Sequence, residues 1–172
     1  MVVDVIDPVF GELGDQVGSF ITYKNVVFCG SERSVEIHIH YEDEPVISQL
    51  QRDAYEALVG GWDEIQHKVA AAILHYYNHE EKFSYGPEDE EEEKQWWPDI
   101  ENEEDLVKYC RLSAIVISEE YLIESQRDRG IINPVYLLFE RDWGGEDLDA
   151  NGVCAFVADG EVVEVGYNDM AF

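Results

Sequence analysis

Positive charge is scarce in this chain. Lys and Arg together number 11 against 39 Asp and Glu, a formal net charge of -28 at pH 7. A field of that sign repels nucleic-acid phosphates and anionic membranes and draws in basic partners. Direct nucleic-acid binding and membrane association are therefore not expected. Cysteine is also rare. Cys29, Cys110 and Cys154 are three in number and widely spaced, which excludes a disulfide framework and a paired-cysteine zinc motif. Free thiols in a reducing compartment are expected. Long apolar runs are missing too. The longest, 69–74 and 135–139, fall well short of the ~20 residues of a membrane span. The opening MVVDVIDPVF has neither a basic stretch nor a long apolar one, so no secretory signal is expected. The chain reads as soluble and cytoplasmic.

Catalytic signatures are lacking as well. There is no Gly-x-Ser-x-Gly elbow and no phosphate-cradling glycine loop before a helix, and Gly11, Gly14 and Gly18 do not make a dinucleotide fingerprint. Gly144-Gly145 is followed by acidic residues that would repel phosphate. Among 39 acids, close carboxylate pairs arise by chance and single out no acid–base couple. Cys29 has no recognisable catalytic context, and Cys110 neighbours Lys108 and Arg111 only weakly. The expectation is a protein that is not an enzyme, with no catalytic residue and no cofactor.

What is present is a core. Hydrophobic residues make up 45% of the chain, with 10 Tyr, 7 Phe and 4 Trp, types in which a disordered acidic chain would be poor. A single domain over 1–172 follows, long enough to bury roughly 70% of its unfolded surface. Residues 19–28 are aromatic and β-branched, with Lys24-Asn25 a turn candidate inside them. After a turn at Gly30-Ser31-Glu32, residues 34–41 alternate Val35, Ile37, Ile39 and Tyr41 with Glu36, His38 and His40, a period of two that marks a half-buried strand. The period then changes. Ile47, Leu50, Ala54 and Leu58 fall at helical spacing over 46–59, behind Pro45 and ahead of Gly60-Gly61. Trp62, Ile65, Val69, Ile73 and Tyr76 make a second stripe over 62–77, with Asp63 and Glu64 at its dipole-favoured start. A short helix is expected over 102–109, capped by Asn102. Strands return at 112–118, 134–140, 153–158 and 161–165, the last two joined by the hairpin pair Asp159-Gly160. The fold class is α+β, a mostly antiparallel sheet with two consecutive helices packed on it.

Between these halves, residues 79–98 lose the core pattern. Glu88 to Glu93 is a run of like charge, and such blocks repel themselves and stay extended, so a mobile acidic loop is expected here. Its Glu90, Glu91, Glu92 and Glu93 imitate a string of phosphates, and Tyr85, Trp96 and Trp97 beside them are of the types enriched in interface hot spots. These seven residues are the candidate partner-binding set; a solvated surface run is the plainer reading. Asp147-x-Asp149-x-Asn151-Gly152 matches the opening of a calcium loop, but the twelfth position is Ala158 where a bidentate Glu belongs, so no tight calcium site is expected. His38 with His40, and His75 with His79, share faces of their elements. Two ligands are not a metal site, so no metal is assigned.

Several stretches together resemble a family of small acidic bacterial domains that recur as immunity proteins beside polymorphic and contact-dependent toxins. They are Ala-Ala-Ile-Leu-His-Tyr-Tyr-Asn ending at Asn78, Trp-Pro-Asp-Ile from Trp97, Leu-Leu-Phe-Glu-Arg-Asp-Trp ending at Trp143, and Val-Glu-Val-Gly-Tyr-Asn ending at Asn168. Related families often carry a Glu-His pair after the Trp, but Trp143-Gly144-Gly145-Glu146-Asp147 has no His, so no site residue is carried over. The resemblance implies an immunity-type inhibitor that binds a basic protein partner, a cognate toxin domain such as a nuclease. The alternative is a calcium- or metal-binding module or an enzyme centred on Asp147, Asp149 and Asn151.

Overall fold

A computed structural model describes residues 2–145 and 152–172. Among these residues the sheet has eight strands in sequence order: β1 (Val5–Asp7), β2 (Gly11–Gln16), β3 (Ser19–Phe28), β4 (Ser31–His40), β5 (Cys110–Ile117), β6 (Val135–Arg141), β7 (Val153–Ala158) and β8 (Glu161–Tyr167). Every neighbouring pair is antiparallel except β4 with β5, which run parallel in the register Glu36↔Ala114 to Ile39↔Ile117. A parallel pair needs a long crossover. Helices α1 (Gln49–Gly60), α2 (Trp62–His75), α3 (Lys82–Tyr85), α4 (Glu90–Trp96) and α5 (Glu103–Tyr109) supply it. A sixth helix, α6 (Glu120–Asp128), lies between β5 and β6. The fold is α+β with two consecutive helices in the expected place.

The alternation read in β4 is real. Val35, Ile37 and Ile39 are fully buried, while Glu36, His38 and His40 are half-buried. The apolar face joins Ala54, Leu58, Ile65, Val69 and Ile73 of α1 and α2 in the main core. On the opposite face a smaller cluster forms from Ala114, Val116, Leu138 and Cys154, packed with Met170 and Ala171 of the closing 3₁₀ turn. β5 is thus buried on both sides, which explains its near-continuous apolar sequence.

Three expectations change. First, β3 is unbroken through Lys24-Asn25, which pair with Val35 and Ser34 of β4; the turn falls at Cys29-Gly30, where φ is +47° and +86°. Two positive φ values define the tight hairpin turn whose twist matches the strands, and Asp159-Gly160 makes the same turn at +49° and +79°. Second, residues 79–98 are largely helical and not an extended loop. α2 runs on as a π-helical turn, Tyr76–Glu81, into α3, and the acidic run is α4. Asp89 caps α4 by accepting from the Glu92 N–H at 2.8 Å, and Glu92 returns a bond to the Glu88 N–H at 3.0 Å. Four glutamates in a first turn sit where the helix dipole stabilises negative charge, each by about 0.3–1 kcal/mol, which offsets their mutual repulsion. Third, α6 and strands β1 and β2 carry no period strong enough to have been read.

The π turn carries Glu81 inward, where it is 2% exposed. It pairs with buried Arg141 and accepts from Trp143 Nε1 at 2.9 Å. The Arg141 guanidinium lies 5.8 Å from the Trp143 ring and 5.4 Å from the Tyr167 ring. Arg141 and Trp143 therefore have a structural use: breaking one side of such a buried pair costs about 3–5 kcal/mol.

Candidate binding surface

The parallel pair sets up the site. β4 and β5 end side by side, and the Gln51 amide ties the ends together. Gln51 is 1% exposed; its Nε2 donates to the carbonyls of His40 at 2.7 Å and Ser118 at 2.9 Å, and its Oε1 accepts from the Ser48 N–H at 3.0 Å. Ser48 in turn caps α1 by accepting from the Gln51 N–H, completing a capping box. Every polar atom of this buried side chain is thereby satisfied. Gln51 lies off the apolar stripe of Ile47, Leu50, Ala54 and Leu58.

Above this floor opens a cleft of about 550 Å³. Its walls come from the segment leaving β4, with Glu42, Asp43 and Glu44, and from the segment leaving β5, with Glu119 and Glu120. Among the described residues no Lys or Arg lines it. The N-terminal residues of α1 and α6, Gln49 and Glu120, form part of the wall. His40 reaches the cleft from β4; burial holds its imidazole below the usual range, Glu119 opposes that, and His38 adds to it. The shift disfavours the charged imidazole, so His40 brings little positive charge to the cleft. Chemically the cleft suits a cationic group such as a Lys or Arg side chain.

The seven residues singled out from the sequence lie elsewhere. Glu90, Glu91 and Glu93 are exposed on α4, Glu92 is half-buried in its capping bond, and Glu93 lies 3.9 Å from Lys82. Tyr85 is 66% exposed, next to a still more exposed Phe83. Trp96 is half-buried against the core. Trp97 is 3% exposed and stacks on Tyr77 with ring centroids 6.1 Å apart, so it belongs to the core and offers no surface to a partner. What remains outside is a second acidic face, α4, with exposed aromatics from α3.

Asp147, Asp149 and Asn151 lie outside the described residues. Gly152, read as the sixth position of a calcium loop, has a packing reason of its own. A Cβ there would come within 2.4 Å of the Phe139 carbonyl oxygen and 2.2 Å of Asn168 Nδ2. The His38–His40 and His75–His79 ring pairs stand 6.4 Å and 4.7 Å apart, and among the described residues neither gathers a third ligand. A different trio does meet: Cys29, His67 and Glu103 place ligand atoms within 4.8 Å of one another. The three cysteines are free. Burial, then the Glu103 carboxylate, push the Cys29 thiol up to about 12, and burial raises Cys110 and Cys154 as well. None is a thiolate nucleophile at neutral pH.

Among the described residues no helix is long and apolar enough to cross a membrane. No curated protein and no solved structure matches this chain. Residues 9–172 match the model of a family described as a domain of unknown function, DUF6985, and the chain belongs to that family.

Proposed function

We propose that this chain is a binding protein that captures a basic protein domain in the cleft at the ends of β4 and β5. The mode is that of an immunity-type inhibitor masking a toxin. The observation that carries the reading is the cleft itself, walled by Glu42, Asp43, Glu44, Glu119 and Glu120 without a cation among the described residues. The net charge of -28 supports it over longer range, because a field of one sign steers an oppositely charged partner and speeds association. The α4 face adds charge to that field and acts on encounter more than on the docked contact.

The test uses the product of the adjacent gene as the candidate partner. Stopped-flow association should slow steeply between low and physiological salt, while dissociation changes less. Replacing Glu42, Asp43 and Glu44 by their amides should speed dissociation and slow association. Replacing Glu90 to Glu93 by Gln should act on association alone. Salt-indifferent association, or a partner insensitive to both sets, refutes the reading.

A further inference from the structure

Cys29, His67 and Glu103 come from three separate elements: the tip of the β3–β4 hairpin, the middle of α2 and the first turn of α5. Their ligand atoms all lie within 4.8 Å of one another. His67 Nδ1 is 2.7 Å from Glu103 Oε1 and 3.0 Å from Oε2. The Cys29 backbone N–H donates to Gln66 Oε1 at 2.8 Å, which pins the hairpin tip to α2 beside His67. We propose that these three side chains form a zinc(II) site that clamps the hairpin, α2 and α5 together.

The donor set fits this ion. Thiolate, imidazole and carboxylate are the three ligand types zinc takes from proteins, the ion displacing the Cys29 thiol proton to solvent as it binds, and a site with three protein ligands keeps a fourth position for water or another ligand. Hard cations such as calcium want six or more oxygens, and a sulfur and a nitrogen do not serve them. Bonds of about 2.0–2.3 Å at tetrahedral angles set neighbouring ligand atoms roughly 3.3–3.6 Å apart. Reaching that spacing asks the His67–Glu103 pair to open by about 0.6 Å and the thiol, within 4.8 Å of both, to close by at most about 1.5 Å. His67 and Glu103 have side chains 56% and 39% exposed and Cys29 is half-buried, so side-chain rotation suffices and the fourth position faces solvent.

The choice of residue at the hairpin tip points the same way. Cys29 occupies the first turn position at φ +47°, where Asn, Asp or Gly sit with less strain. The same turn at Asp159-Gly160 uses the ordinary residue. A cysteine held in a left-handed conformation, with its thiol toward a histidine and a glutamate, is placed there for its side chain. Cys110 and Cys154, at 1% and 0% exposure, are sealed in the core, so Cys29 is the one thiol an ion in solution can reach.

Cobalt(II) is the direct probe, because a thiolate ligand gives a sulfur-to-cobalt charge-transfer band that carboxylates cannot. The full chain, stripped with chelator and reduced, should develop that band at one equivalent of cobalt and lose it when zinc is added. Zinc at about a hundredfold above its Kd should raise the Tm by roughly 5–10 °C. Cys29→Ser should abolish the band and weaken zinc binding more than about 10-fold, with the circular dichroism of the metal-free protein unchanged. Glu103→Gln should keep the band at reduced affinity, which guards against a loss caused by misfolding. No charge-transfer band in the wild-type chain, or a band that survives Cys29→Ser, overturns the site. A Tm rise of equal size with calcium assigns the effect to the acidic surface and overturns it as well.

Discussion

Replacing Gln51 by Glu changes one NH₂ group into an oxygen and little else in shape, so it isolates what the amide does. In the wild type that NH₂ donates to two carbonyl oxygens at 2.7 Å and 2.9 Å in a site 1% exposed. An ionised carboxylate there would face two acceptors with no donor between them. The introduced carboxyl must therefore protonate on folding, and even then its single O–H serves one carbonyl and leaves the other bare. A buried acceptor without a partner costs about 1–3 kcal/mol. Taking up the proton at pH 7 costs a further 1.36 kcal/mol for each unit between the unfolded pKa near 4.3 and pH 7, about 3.7 kcal/mol. The sum is about 5–7 kcal/mol of lost stability at pH 7. The sign follows from linkage. A carboxyl whose folded pKa is raised favours the native state below its unfolded value near 4.3 and loses that advantage as pH rises through the folded value. Urea unfolding of Gln51→Glu and wild type should thus differ most at pH 7 and least near pH 4. The comparison at each pH cancels the titration of the other carboxylates. A difference below about 1 kcal/mol at pH 7, or one that ignores pH, refutes the role given to Gln51.

Gly152→Ala should destabilise by about 1–3 kcal/mol in equilibrium unfolding, because the new methyl meets the Phe139 carbonyl and Asn168; a change under about 0.5 kcal/mol would show that the backbone there yields freely. Asp7 is 4% exposed, and although burial pushes its carboxyl up, the bonds from Arg52, Val9 and Phe10 hold it below the usual carboxylate range. Its contribution is present above about pH 4 and lost as pH falls through the depressed value, so the Tm deficit of Asp7→Asn should be full at pH 7 and shrink in acid. Trp97→Ala should cost about 3–5 kcal/mol as a core deletion. Unfolding curves of that variant superimposing on wild type would mean the ring is not packed as described.

The elements that could be read from the sequence are those whose pattern is local. The alternation through Val35, Ile37 and Ile39, the stripe Ile65, Val69 and Ile73, the cap at Asn102 and the Asp159-Gly160 turn each need only a few neighbouring residues. The failures share a cause as well. Lys24-Asn25 looked like a turn because its pairing with β4 is a tertiary fact, and the Glu90–Glu93 run looked extended because like charge was weighed without the helix dipole and the Asp89 cap. The cleft was out of reach altogether. Glu42 to Glu44 and Glu119 to Glu120 meet only because β4 and β5 pair in parallel, and nothing in either segment announces that partner. Cys29, His67 and Glu103 are equally far apart along the chain. The one local clue was a cysteine followed by glycine between two strand patterns.

The parallel register between β4 and β5 also bears on how the molecule assembles. β1 to β4 form one meander of nearest-neighbour hairpins, and β5 to β8 form another with α6 inserted. Within the sheet the two halves meet along four paired positions, from Glu36 and Ala114 to Ile39 and Ile117. Hairpins close quickly because their loops are short, whereas joining β4 to β5 must wait for the whole helical crossover to fold back, and loop closure of that length is slow. The seam is therefore expected to close last. Until it closes, the flanks of β4 and β5 are open edges able to recruit a strand from another copy, which makes domain exchange the characteristic way for this chain to misassemble.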